Sequence, residues 1–500
     1  MTDPDPFDQK LAGALRDLTR HAMASGRGAP STDGGGVPAG TELEGPHHLA
    51  AGPTSPGGSR RSWWLGAAAV LVVALVAVVL VVRSDDGIVR TAQPGPPLDG
   101  VPAPTYVRDP LTEPEGWTAM ADAPIRGRDD AITAWTGAEL LVIRGNGAFS
   151  DGGGGEAGRT DGAAYDPRAD RWRRIADSPF EARGSIMGAD TVSAWTGKEL
   201  LVWGGPEPRG AAYDPATDSW RDIDVGPLEA RVGMTSVWTG SEWIVSGGIA
   251  HAAVLSYETE EDRADDVALT TGAAYDPVTG VWRPITPAPD GRIEGQAVWD
   301  GSAMITFGGY VPTRGDEPGP PAVAQAYDPV ADSWRRLAAP PFQDSTGAVW
   351  TGTEVVAIVA GATDAEGNRE EVDPVVAYDP EADRWRAVAG APVPGTGTRG
   401  GPETSIANWI YPALVWTGTE VLFFGTGFTN PEQPQPLEGF ALDVASRTWR
   451  ELPPSGLTTR GGSSTAWIGD QLLLWGGAAY TGYTSSPYAD GARYRPGPGR

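Results

Sequence analysis

The chain has 500 residues, 40% of them hydrophobic, and a formal net charge of −27 at pH 7. So large an acidic excess repels nucleic acid and anionic lipid, and it keeps an exposed domain soluble. There is no cysteine, and His251 is the only histidine beyond residue 48, which excludes disulfides, thiol nucleophiles, thiolate metal sites and multi-histidine zinc or copper centres.

The N-terminal segment begins with a helix signal. Asp5 stands at the N-cap, Pro6 in the first turn, and Asp8 adds negative charge near the positive end of the dipole. Phe7, Leu11, Leu15, Leu18 and Ala22 then share one face, predicting a helix over about residues 6–24. This helix either docks a cytoplasmic protein, or lies along a surface or is only marginally stable. Tails of this shape resemble short anti-sigma-type segments of bacterial membrane proteins, although the histidine and cysteine zinc motif often found there is absent. Residues 25–60 are dense in Gly, Pro, Ser and Thr and read as disordered.

Trp63 to Val82 is a run of twenty residues without a charge, long enough to cross a bilayer as a helix. Arg60 and Arg61 precede it, whereas Arg83 is followed at once by Asp85 and Asp86, so the N-terminal end is expected in the cytoplasm. A cleaved signal peptide does not fit: residues 1–62 are too long a leader, and no A-x-A site follows. Residues 83–115 are Pro-rich and read as a stalk, able to reach up to roughly 100 Å if extended. Residues 1–83 carry seven basic and seven acidic side chains, so the whole net charge of −27 falls beyond them. Lysine occurs only at Lys10 and Lys198, against 36 arginines, which points to a GC-rich bacterial genome.

From residue 116 onward one pattern recurs. Trp-x-Gly returns at Trp135, Trp195, Trp238, Trp299, Trp350, Trp416 and Trp467. A second half, Tyr-Asp-Pro with Trp seven residues after the Tyr, occurs at Tyr165, Tyr213, Tyr275, Tyr327 and Tyr378, and a degraded copy runs from Leu442 to Trp449. Copies rich in β-formers and glycine at such a period predict a β-propeller. Seven front halves face only six complete back halves, and Gly116-Trp117-Thr118 reads like the missing strand Thr448-Trp449-Arg450. The expectation is an all-β, seven-bladed propeller of four-stranded blades over residues 116–497, its N-terminal strand closing the last blade. In each blade, strand a precedes Trp-x-Gly, strand b is the apolar run after it, and strand c carries Ala-Ala-Tyr. Asp-Pro opens a type I turn to strand d. Eighteen of the 20 tryptophans lie here, fourteen at the two repeat positions, and they are expected to pack between blades.

These residues resemble the kelch-repeat family, whose blades carry a Gly-Gly doublet followed by Tyr and Trp at fixed spacing. Gly145-Asn146, Ala360-Gly361 and Gly425-Thr426 depart from the doublet. The resemblance implies a propeller but no single function, because kelch propellers include carbohydrate-active enzymes and many binding proteins. A copper oxidase of the galactose oxidase kind is excluded, since it needs a Cys-Tyr crosslink and histidine ligands.

The b–c loops and d–a connections open on one face, and the b–c loops differ widely in length, as functional loops on a rigid ring do. The longest, around His251, holds Tyr257, Glu258, Glu260, Glu261, Asp262, Asp265 and Asp266. It reads as a Ca²⁺ site or as a solvated acidic loop, with no recognised ligand spacing. Arg128, Arg231, Arg292 and Arg460 each stand seven residues before the Trp of Trp-x-Gly, and Arg183 is displaced by an insertion. Gln343 and Trp409 occupy the same place in the fifth and sixth repeats. Two readings of the arginines stand: guanidinium groups converge at the channel mouth to clamp an anion, or they hydrogen-bond loop backbone between blades. Trp409 is a candidate sugar-stacking ring at the same mouth.

The expectation is a single-pass, membrane-anchored, extracytoplasmic binding or sensing module for a glycan or a surface protein, without a metal or other cofactor. The alternative is a carbohydrate-active enzyme resembling the kelch-type sialic-acid mutarotases, with Glu294 as an acid.

Overall fold

The computed structural model describes residues 116–497 apart from 149–157, 182–190, 206–207, 251–266, 312–322, 343, 361–374, 392–409, 427–434 and 482–483. The expected helix 6–24, span 63–82 and stalk 83–115 lie outside them, as do Arg183, Gln343, Trp409 and the acidic loop around His251. Among the described residues all regular elements are strands, and no helix is long and apolar enough to cross a membrane.

Seven four-stranded antiparallel sheets make seven blades. Blade 1 runs through Ile132–Trp135, Leu140–Ile143, Gly162–Asp166 and Arg171–Ile175 as strands a to d. Blade 2 uses Thr191–Trp195, Leu200–Gly204, Arg209–Asp214 and Ser219–Ile223. Blade 3 uses Thr235–Trp238, Trp243–Ser246, Gly272–Asp276 and Val281–Ile285. Blade 4 uses Gln296–Trp299, Met304–Phe307, Ala324–Asp328 and Ser333–Arg336. Blades 5 and 6 begin with the longer strands Asp344–Trp350 and Ile410–Trp416 and end with Arg384–Ala387 and Thr448–Glu451. Every strand a contacts the strand a of the blades before and after it, including blade 7 with blade 1, so the inner circuit is closed.

Closure follows the sequence expectation. Blade 7 takes Ser464–Trp467, Leu472–Trp475 and Gly491–Arg495 from the C-terminal end and Gly116–Ala119 from the N-terminal end. Gly116 pairs with Arg495 and Ala119 with Ala492. The Trp117 ring lies 5.1 Å from Tyr494 of its own blade and 5.7 Å from Phe424 of blade 6.

Strand b carries a buried apolar run because neighbouring blades cover both its faces; Leu200, Leu201, Val202 and Trp203 are all fully buried. The tryptophans do pack between blades, and they do more. In all seven blades the strand-d Trp donates its indole N–H, at 2.7–3.2 Å, to a carbonyl one or two residues past strand d of the preceding blade. In four blades the aspartate two residues before that Trp adds a second tie. Asp170, Asp218, Asp332 and Asp383 accept the hydroxyl of the Tyr of their own blade at 2.7 Å. They also accept a backbone N–H of the preceding blade, from Ala121, Ala176, Thr286 and Ala338. All four are held at φ between 46 and 49°, the left-handed region that aspartate tolerates.

A third tie is the glutamate of Trp-x-Gly-x-Glu. Glu139, Glu199, Glu242 and Glu420 each take the arginine after the strand-d Trp in bidentate fashion, with Arg173, Arg221, Arg283 and Arg450 at 2.6–3.2 Å. In blade 5 Arg386 reaches Glu354 through Nη2 alone. Paired planar groups of this kind give geometric specificity as well as energy.

Blade 3 has Gly280 where the aspartate would stand, with φ of 72°, and nothing within 4 Å of where a Cβ would lie. Gly280→Asp is therefore expected to restore the missing tie, accepting the N–H of Asp224 and the hydroxyl of Tyr275. The expected gain is about 1 kcal/mol in chemical denaturation of the full chain in detergent. A loss of stability would show that the tie does not transfer between blades.

Candidate functional site

On the loop face the spaced arginines are buried rather than presented. Arg128, Arg231 and Arg460 are only 1–2% exposed. Their donors meet backbone in a repeating way. Arg128 donates through Nη1 to the carbonyls of Arg144 and Asp161, both at 2.9 Å. Arg231 does the same to Gly247 at 3.2 Å and Thr271 at 3.0 Å. Arg460 reaches Gly476 at 3.2 Å and the Asp490 carboxylate at 2.7 Å. Each guanidinium thus ties the end of strand b to the start of strand c and braces the base of the b–c loop between them. Burial is the main cause lowering Arg128 and Arg231 from their ordinary pKa, and the Asp161 carboxylate opposes it at Arg128.

Arg292 is half-buried and lines a cavity of about 20 Å³ with Thr235, Ser246, Asp290 and Gln325, room for one water molecule. In blades 5 and 6, which lack the arginine, strands a and b pair further instead, out to Asp344 with Ala360 and Ile410 with Thr426.

The glycine doublet belongs to the same unit. A Cβ on Gly248 would meet the Val232 carbonyl at 2.4 Å, and one on Gly477 would meet that of Gly461 at 2.7 Å. The second glycine lets the loop base approach the residue after the arginine. Strand register places the doublet of blade 1 at Arg144-Gly145, one residue before the Gly145-Asn146 read from the sequence. Arg144 fills the first place with φ of 62°.

Two residues past each arginine the backbone is left-handed in all four blades: Asp130 at 48°, Gly233 and Gly462 at 66°, and Glu294 at 59°. The Asp130 N–H donates to Gly462 of blade 7 at 3.0 Å, and that of Glu294 to Gly233 of blade 3 at 2.8 Å. Carboxylates thus occupy two positions where glycine is the unstrained choice.

One of them completes an acidic pair at the seam of blades 7 and 1. Tyr480 donates its hydroxyl to Asp129 Oδ2 at 2.6 Å, and Asn146 Nδ2 donates to Asp130 Oδ2 at 3.4 Å. The Oδ1 atoms of both aspartates are buried without a hydrogen-bond partner among the described residues. Burial pushes the Asp129 carboxyl up to about 6, with the Tyr480 hydrogen bond opposing it. Burial, then the charge of Asp129, raises Asp130 well above the usual carboxylate range. A carboxyl raised on folding keeps its proton in the native state while the unfolded chain has lost it. Its penalty is therefore absent below pH 4 and grows as pH rises toward 6. Asp129→Asn is expected to gain roughly 2 kcal/mol over the wild type at pH 7.5, with the difference vanishing near pH 3.5 in parallel denaturant titrations.

No group of three or more acidic or histidine side chains among the described residues is placed to hold a metal ion. No protein-family model matches the chain, and no curated protein does. The class defined by the architecture itself is the seven-bladed β-propeller.

Proposed function

We propose that the chain is a membrane-anchored, extracytoplasmic binding module of the kelch-like type, whose loop face holds a glycan or a surface protein. Residues 63–82 serve as the anchor, 83–115 as the stalk and 1–62 as a cytoplasmic tail. One observation carries the reading. The buried guanidinium groups of Arg128, Arg231 and Arg460 fix the bases of the b–c loops, whose lengths vary most along the chain. Rigid strand ends bearing variable loops are the usual platform for recognition. In this reading Arg128, Arg231 and Arg460 hold the recognising loops in place.

Protease added to intact cells expressing the full chain is expected to release the propeller and leave a small membrane-bound fragment. Full protection would overturn the orientation. On the same cells, crosslinking should recover a surface glycan or protein attached through the loop face. Turnover of a free sialic-acid anomer by the purified chain would select the enzyme reading instead.

A further inference from the structure

The b–c loop of blade 7 is bound to its neighbour. Its strands Ala478–Thr481 and Thr484–Pro487 pair as a hairpin. At the base of that hairpin the Gly477 N–H donates to the Arg128 carbonyl of blade 1 at 2.9 Å. Ala478 exchanges two backbone hydrogen bonds with Gly461 at 2.8 and 3.0 Å. A Cβ on Gly127 would meet the Tyr488 carbonyl oxygen at 2.6 Å, so the connection into blade 1 runs directly against the foot of the hairpin. Higher up, the Tyr480 hydroxyl donates to Asp129 Oδ2 across the same contact.

A carboxylate is a costly anchor in a buried place. Asp129 is 2% exposed and its Oδ1 accepts no hydrogen bond, and the Oδ1 of Asp130 beside it is likewise buried without a donor. The internal repeat shows that the fold asks for no acid there. Val232 and Ile293 fill the place of Asp129 in blades 3 and 4 and share one buried apolar cluster, and Gly461 fills it in blade 7. No cation among the described residues is paired with either aspartate. From blade 7 the hairpin brings Tyr480, and the connection brings Arg460, which is turned to Asp490 at 2.7 Å and lies over the Tyr488 ring. From blade 1, Arg128 engages Asp161 at 2.8 Å, Arg144 lies over Phe180 and reaches the Glu181 carbonyl, and the amide of Asn146 is uncharged. Two adjacent buried carboxylates with neither a cation nor a donor on their free oxygens cannot both stay ionised at low cost, and a proton held by the pair removes the conflict.

We infer that Asp129 and Asp130 share one proton and form a pH-sensitive latch, which holds the blade 7 hairpin against blade 1 when protonated and lets it lift from the loop face when ionised. With the hairpin lifted, water reaches both carboxyls and their ordinary acidity returns. The latched form therefore binds more protons than the lifted one. Latching is strongest below about pH 4, the ordinary value for an aspartate, and weakens as pH rises toward the value in the latched form. Burial sets that higher value, about 6 for Asp129. The latch stands whatever the loop face binds, so it goes beyond the proposed function.

Hydrogen exchange of the full chain in detergent, read by mass spectrometry as protection factors at pH 4.5, 6 and 7.5, tests it. Peptides covering residues 476–488 are expected to lose at least about tenfold in protection between pH 4.5 and 7.5, the effect of one unit of pKa shift, while those covering strand b of blade 4 keep theirs. Asp129→Asn/Asp130→Asn retains an acceptor for Tyr480 and has nothing to ionise there, so its hairpin protection should not vary with pH. Tyr480→Phe removes the donor that favours the ionised form. It should lower hairpin protection at every pH and enlarge the loss between pH 4.5 and 7.5. Hairpin protection that does not vary with pH, a loss shared equally by all blades, or a loss unaltered in both variants would overturn the inference. Restoration of the wild-type hairpin by millimolar Ca²⁺ at pH 7.5, absent in the double variant, would make the pair a cation site and overturn the latch as well.

Discussion

Arg231→Ala is expected to lower the unfolding free energy by about 3–5 kcal/mol, the range for removing one partner from a buried charged network. The side chain is 1% exposed and donates to the carbonyls of Glu229, Gly247 and Thr271 and to the Thr271 hydroxyl. Truncation leaves those acceptors buried without water, each at about 1–3 kcal/mol, and opens a cavity between strands b and c. Arg231→Lys keeps the charge but not the fork, and should recover less than half of the loss. Guanidinium chloride titration of the full chain in detergent checks both. A change below about 1 kcal/mol for Arg231→Ala would mean that the brace carries little energy. The side chain would then have to be explained by something it holds.

The second large effect concerns closure. Deleting residues 116–119 removes strand d of blade 7 and strips the pairing partner from Gly491–Arg495. Tyr494 loses the Trp117 ring, and Pro453 loses the indole that ties blade 7 to blade 6. An exposed edge strand beside an uncovered apolar face is a template for association between chains. The deleted chain is expected to elute as aggregate in size-exclusion chromatography, and a synthetic peptide covering residues 112–122 should restore the elution volume of the intact chain. Trp117→Ala, which spares the backbone pairing, is expected to cost about 3 kcal/mol. A deletion variant that elutes like the intact chain and keeps its native-like structure would show that blade 7 is stable with three strands.

Much of this architecture was legible in the chain because tryptophan, glycine and the Asp-Pro turn sit at positions that geometry forces to repeat. Trp195 to Gly205 alone prescribes a turn, an apolar strand and a glycine stop, and counting incomplete halves located the closing strand at Gly116–Ala119. The site was legible only in part. Spacing picked out Arg128, Arg231 and Arg460, but their acceptors are carbonyls such as those of Gly247 and Thr271, which carry no sequence signal. Whether the guanidinium turned inward to the channel or back onto its own blade could not be read from spacing. The aspartates of Asp-x-Trp and the glutamates of Trp-x-Gly-x-Glu were visible as letters of the repeat. Their roles depend on the neighbouring blade, as when Asp218 takes the N–H of Ala176. Asp129 and Tyr480 come from opposite ends of the repeat array, so the pattern gives no hint that they meet.

The closing strand also dictates an order of events. Trp117 and the carbonyl it ties, that of Pro453, are separated by 336 positions in the chain. Emerging from the ribosome, the first strand must wait, unpaired, until its partner has been made. The earlier blades can assemble from local hairpins as they appear, but sealing the ring is one long-range step paid in loop entropy. Folding to the finished ring is thus set by the synthesis of Gly491–Arg495, and a chain interrupted before them would hold a nearly complete propeller with Gly116–Ala119 still waiting.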